Sequence, residues 1–195
     1  MPNARWQDRH HDLETLFALF GAPAAIAAQG FFARDIVLLM RDLLALIETL
    51  VRKTLLLDAL ALIGVLKPSL KRVRARKNAK AEEVSVPDPT KWRVSFHAIP
   101  PQPSRRPSAR ITSIQRRHCD AYPPAARLEA LRRVIAIPLP AARRLARRLG
   151  GKAARAIAVA INAARNFRAD PRGWMSDGLQ TECESASARA VANSS

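Results

Sequence analysis

Residues 34–53, RDIVLLMRDLLALIETLVRK, are apolar enough to suggest a membrane span and charged enough to oppose one. Placed on a helix at about 100° per residue, Arg34, Arg41, Glu48 and Arg52 fall together, with Asp35, Asp42, Thr49 and Lys53 beside them. These eight occupy an arc of roughly 140° and leave about 220° apolar. The charges recur every seven residues, and Glu48 and Arg52 form a favourable i,i+4 pair. The pattern predicts a coiled-coil-like helix with one wet stripe. Extended from Phe31 through LLLDALALIGVL to Leu66, it would be about 54 Å long.

Insertion energetics weigh against a span. The most apolar window, 43–66, holds fourteen Leu, Ile and Val residues, worth about −7 kcal/mol, whereas Glu48, Arg52, Lys53 and Asp58 cost about +10 to +12 kcal/mol near a helix centre. So wide an apolar arc calls for two neighbouring helices, as in a bundle or an oligomer built through residues 31–66.

The nineteen residues before it, 15–33, carry no charge but contain Gly21, Pro23, Gln29 and Gly30. Only seven of them favour lipid strongly, worth about −3 kcal/mol in total. Ala25-Ile26-Ala27 resembles a signal-cleavage pattern, yet Asp8, Asp12 and Glu14 outnumber Arg5 and Arg9 ahead of it, the wrong sign for a secretion signal. The expectation is a short helix capped by Asp12, a turn at Gly21-Ala22-Pro23, and then the long helix.

Charge is segregated along the chain. Of 195 residues, 1–66 carry 6 Lys/Arg against 7 Asp/Glu, 67–176 carry 26 against 6, and 177–195 carry 1 against 3, for a total of +17. A basic half joined to a neutral apolar third points to a polyanionic partner: nucleic acid or an anionic membrane surface. GC-rich codon usage also enriches Arg, Ala and Pro. It accounts for 26 Arg against 7 Lys, but not for the sparing of the N-terminal third.

The basic half opens with KPSLKRVRARKNAK (67–80), in which Lys71, Arg72, Arg74, Arg76 and Lys77 are candidates for phosphate contacts. The same run would suit anionic headgroups beside a membrane-bound helix, or no partner at all as a solvated linker. KWRVSFHA (91–98) alternates Trp92, Val94, Phe96 and Ala98 with Arg93, Ser95 and His97. That reads as a half-buried strand whose partner is RITSI (110–114), another copy or another protein. PPQPSR (100–105) fits a polyproline-ligand pattern at chance level in so Pro- and Arg-rich a chain. HHD (10–12) and HCD (118–120) lack further ligands at metal or thiolate spacing, and Cys119 and Cys183 match no redox motif. Without a disulfide framework, a reducing cytoplasm is the expected compartment, with the inner face of a membrane as the alternative.

PPAARLEALRRVIA (123–136) places Leu128, Leu131 and Ile135 at helical spacing behind two prolines suited to a first turn. Pro138 and Pro140 interrupt. AARRLARRLGGKAARAIAVAINAARNFR (141–168) then sets Arg143, Arg144, Arg147, Arg148 and Arg155 opposite Leu145 and Leu149, with a joint at Gly150-Gly151. Nothing resembles a helix-turn-helix reader. From about Asp177 onward Ser, Ala, Glu and Thr dominate without periodicity, the composition of a disordered tail.

The fold class expected is mostly α. A long amphipathic N-terminal helix (region 1–66) sits in a small bundle or oligomer, followed by a basic, Pro-containing, partly disordered connector (67–122) with one short strand. Short basic helices (123–172) and the tail (173–195) complete it. No carboxylate pair, triad, phosphate loop, cofactor motif or metal motif is present, so neither an enzyme nor a small-molecule substrate is expected. The function expected is binding of a polyanion, most simply nucleic acid, through Lys71, Arg72, Arg74, Arg76, Lys77, Arg143, Arg144, Arg147 and Arg148. The rival is a peripheral membrane protein with residues 13–66 on or in the bilayer.

Overall fold

The computed structural model describes residues 4–63, 88–99 and 118–150, with Ile157, Ala158, Ile161 and Ser185 as isolated positions. These residues are mostly helical. In chain order they form α1 (Ala4–Phe20), α2 (Pro23–Ala28), β1 (Phe31–Ala33), α3 (Arg34–Ile63), a 3-10 turn at Pro89–Lys91, β2 (His118–Asp120), α4 (Tyr122–Ala136) and α5 (Leu139–Leu149).

The long helix α3 is the axle around which the rest packs. Its thirty described residues begin at Arg34 rather than Phe31, because Phe31–Ala33 leave the helix to pair with β2; residues 64–66 lie outside the described residues. Between Leu43 and Leu57 every residue of α3 is buried except the partly covered Ala45. Helices α1 and α4 pack on α3, and α5 packs against it most extensively. The indole N–H of Trp6 donates to Asp58 at 2.8 Å, tying the start of α1 to the end of α3 so that the two run antiparallel. Leu16, Leu44, Ile47, Leu128, Leu131 and Leu145 share one apolar cluster, so the N-terminal and C-terminal helices build a common core.

Three local expectations are corrected. Asp12 does not cap a helix: α1 begins at Ala4, and Asp12 lies buried within it, paired with Arg9 at 3.3 Å. The wet stripe of α3 is wet only at Arg34, Asp35, Arg41 and Asp42. Glu48, Thr49, Arg52 and Lys53 are buried, because α4, α5 and residues 92–98 cover that side. Residues 91–98 do not form a strand. Trp92 is buried and Val94, Phe96 and Ala98 are half-buried while Arg93, Ser95 and His97 are exposed. The two faces are therefore as expected, but no ladder joins the segment to another strand among the described residues. RITSI (110–114) lies outside them.

The described strands are elsewhere. β1 and β2 are antiparallel with Phe31 opposite Asp120, Phe32 opposite Cys119 and Ala33 opposite His118. The Ala121 amide extends the pairing to the Gly30 carbonyl at 2.9 Å. Gly30 enters the strand at φ +72° and Gly21 ends α1 at φ +93°, left-handed conformations that cost a Cβ-bearing residue about 1 kcal/mol or more. The charge-free stretch 15–33 is thus cut into a helix end, a six-residue helix and a strand, and no described helix is long and apolar enough to cross a membrane.

Pro138 and Pro140 open α5 rather than merely separating two helices: Pro138 is its N-cap residue and Pro140 sits in its first turn. Ala142, Leu145, Ala146 and Leu149 face the core, and Arg143, Arg144, Arg147 and Arg148 face solvent. Ile157, Ala158 and Ile161 are buried, and Ile157 and Ile161 join the same apolar cluster.

Candidate polyanion-binding face

Residues 92–98 run as an extended segment between α4 and α5, over the middle of α3. Arginine side chains hold it in place where a neighbouring strand would otherwise do so. Arg133 of α4 donates to the carbonyls of Pro89, Thr90 and Trp92 at 2.6, 3.1 and 3.0 Å. Arg52 of α3 donates from Nε to the His97 carbonyl at 3.0 Å and lies under the Phe96 ring, 5.3 Å from its centroid. Trp92 meets the edge of Tyr122 with ring centroids 5.2 Å apart. At the start, Asp88 accepts from the Thr90 amide and hydroxyl, and these bonds hold its carboxyl below the ordinary value.

Beneath the segment lies a charge cluster. Glu48 accepts from Arg52 Nη2 and from Arg127 Nε, both at 2.9 Å. Burial works to raise the Glu48 pKa, but the hydrogen bond and charge of Arg127, aided by Arg52, outweigh it and hold the carboxyl below its ordinary 4.5. Glu129, with a fully buried side chain, is treated alike: burial opposes ionisation, and Arg132 and Arg133 at 2.7–2.9 Å overcome it. Arg132 is in turn held charged above its usual range by its bond to Glu129.

These pairs occupy both glutamates beneath the segment. The exposed charges of residues 93–98 and of α5 are cationic. Among the described residues, Arg93, Arg143, Arg147 and Arg148 are exposed and touch no carboxylate, and Arg144 bonds only to its own helix, at the Pro140 carbonyl, 3.2 Å away. Two clefts flank the segment and share Ser95, Phe96 and His97. One, of about 480 Å³, lies toward α4 and carries Arg93 and Arg127 with the neutralised Glu48–Arg52 pair at its base. The other, of about 350 Å³, lies toward α5 and carries Arg144, Arg147 and Arg148.

Of the residues singled out from sequence, Arg143, Arg144, Arg147 and Arg148 share one exposed face of α5, and the last three line a cleft. Lys71, Arg72, Arg74, Arg76 and Lys77 lie outside the described residues, as does Arg155. Arg93 and Arg127 join the face without having been marked. Arg93 had a signal, an outward position in an alternating run beside Trp92. Arg127 had none, because its place depends on α4 packing against a residue 79 positions earlier.

Asp120 bonds to the Tyr122 amide, and no described group of three His, Cys, Asp or Glu residues could hold a metal ion. The chain matches no known protein family, no characterised protein and no solved structure.

Proposed function

We propose that this protein is a non-enzymatic binder of polyanions, most simply nucleic acid held by its phosphates, and that the outer face of α5 is the described part of its binding surface. The observation that carries this reading is the contrast in charge pairing. The glutamates near the segment are each shared by two arginines, while the four arginines of α5 stand in water and meet no carboxylate among the described residues. Like charges four residues apart cost a helix roughly 0.2–0.5 kcal/mol per pair, and α5 carries two such pairs, Arg143–Arg147 and Arg144–Arg148. A row of phosphates would relieve that repulsion and release counterions as it bound. The basic run 71–77 would add to the same attraction.

The cytoplasm, where nucleic acid is available, is the compartment this reading favours. The membrane alternative, with residues 13–66 on or in the bilayer, would require the described part of that stretch to leave the core that encloses Leu43–Leu57. Self-association through α3 would be confined to its first turns, where Ile36, Leu38 and Leu39 are exposed.

The test is titration of a fluorescently labelled oligonucleotide with the full chain at several salt concentrations. Affinity is expected to fall linearly on a log–log plot against salt, and Arg143→Glu/Arg147→Glu to weaken it strongly while leaving the circular dichroism spectrum unchanged. Salt-insensitive binding, or binding indifferent to the double substitution, would refute the assignment.

A further inference from the structure

We infer that the face takes single-stranded rather than duplex nucleic acid, with one unstacked base entering the cleft between residues 95–99 and α5. The inference rests on the polyanion reading and adds what that reading leaves open, the strandedness of the partner. Three features of the cleft point the same way.

Its chemistry is mixed. Phe96, Ala98, Ile99 and Leu145 supply an apolar lining, while Arg144, Arg147 and Arg148 supply cations. A phosphate-only site needs no apolar cleft, and duplex DNA or RNA presents phosphates and groove edges with its base faces already stacked. An unpaired nucleotide carries both chemistries at once: a flat ring whose faces stack on apolar groups, and a charged phosphate, within one residue's length. Guanidinium planes can also stack on such a ring.

One wall of the cleft is residues 95–99, which join no ladder among the described residues. The backbones of Ser95 and Phe96 make no hydrogen bond to another described residue, and the His97 carbonyl is taken by Arg52. Extended backbone presents donors and acceptors in alternation, the pattern that the Watson–Crick edge of an unpaired base can meet. A paired base has that edge occupied.

Size completes the argument. At about 350 Å³ the cleft is near the lower end of the ~300–1,000 Å³ range of small-ligand sites. It has room for one nucleobase. The arginine rim disfavours a neutral peptide strand, which could otherwise pair with the same open backbone edge.

The experiment is fluorescence anisotropy with the full chain and four probes at matched salt. These are a labelled uridine 20-mer, an RNA duplex with the same number of phosphates, inorganic polyphosphate and poly-glutamate, the last two as competitors. Ser95→Leu and Ala141→Leu, which narrow the cleft without changing charge, are measured beside the wild type. Two positions are used so that a folding defect in one, detected by circular dichroism, leaves the other as the test.

The uridine strand is expected to bind on the order of tenfold more tightly than the duplex, the worth of about one stacked base. The cleft-narrowing variants should lose that margin while keeping the duplex affinity and the salt slope. Equal affinity for strand, duplex and polyphosphate would overturn the single-strand inference and leave the polyanion reading standing. A strand preference indifferent to both variants would remove the cleft from the inference. Displacement by poly-glutamate as readily as by unlabelled uridine strand would assign the face to acidic peptides. Failure of every probe to bind would overturn both readings.

Discussion

The middle of α3 and the outer face of α5 use the same local device with opposite results. Each sets charged residues four apart on a helix whose other side is rich in leucine. In α3 the pair Glu48–Arg52 is enclosed, and in α5 the arginines remain in water. The difference is sign. Glu48 offers two oxygens, one to Arg52 on its own helix and one to Arg127 from α4, so covering it leaves its charge compensated. Burying an isolated charge is far costlier than burying a compensated and hydrogen-bonded one. The four arginines of α5 have no acid among them to compensate their charge, and they remain in water. A charge stripe in a sequence therefore becomes informative once its sign balance is read as well as its period.

The sharpest way to break the contrast is to make α3 resemble α5. Glu48→Leu leaves Arg52, buried to 6% exposure, without its carboxylate, and should cost about 3–5 kcal/mol in urea or thermal unfolding. Adding Arg52→Met should restore part of that loss, because Arg127 is over a third exposed and can turn to water. If the double variant is as unstable as the single, the cluster is not the coupled unit described. Slightly below this in expected effect is Leu131→Ala, a cavity beside the same helices at a fully buried position, which should cost about 2–5 kcal/mol.

Acid should separate the two regions as well. Desolvation opposes ionisation of Glu48 and Glu129, yet their arginine partners hold both below 4.5 in the folded chain. The unfolded chain therefore takes up protons first as pH falls. The stabilisation is complete above the unfolded value of about 4.5 and is lost as pH drops through the lower folded values. Glu129→Gln should make the acid limb of the stability curve shallower, while Arg143→Gln, on a helix without carboxylates, should leave its slope unchanged.

What could be read in advance followed the range of the interactions involved. The buried row Leu128, Leu131 and Ile135, the outward arginines of α5 and the turn at Gly21 are each fixed within a few residues, and each is found as expected. The β1–β2 pair was missed because its three-residue strands are set almost ninety positions apart and have no periodicity of their own. The 92–98 segment was half-legible. Alternation identified its inner and outer faces, but the ladder it implied is replaced by arginine side chains from α3 and α4, a substitution that no local pattern encodes. The same limit applies to the site. Its α5 rim was visible, whereas the clefts and Arg127 exist only once α4 and α5 close over the segment.

The smallest expected effect tests whether α5 is shaped by stability or by a partner. Arg143 and Arg147 are both exposed, and their side chains bond to nothing among the described residues. Replacing Arg143 with Gln keeps a good helix former and removes one repulsive i,i+4 pair away from the last turn, where the helix dipole favours Arg147 and Arg148, so folding stability should rise by roughly 0.2–0.5 kcal/mol. The log–log salt slope of oligonucleotide binding should become shallower by about one unit, the share of a single phosphate. A residue whose removal stabilises the fold and weakens binding is retained for the binding. If Arg143→Gln instead destabilises the helix and leaves the slope unchanged, α5 uses its arginines to cover its own apolar surface with their methylene stems. The exposed row would then be no more a site than the buried one.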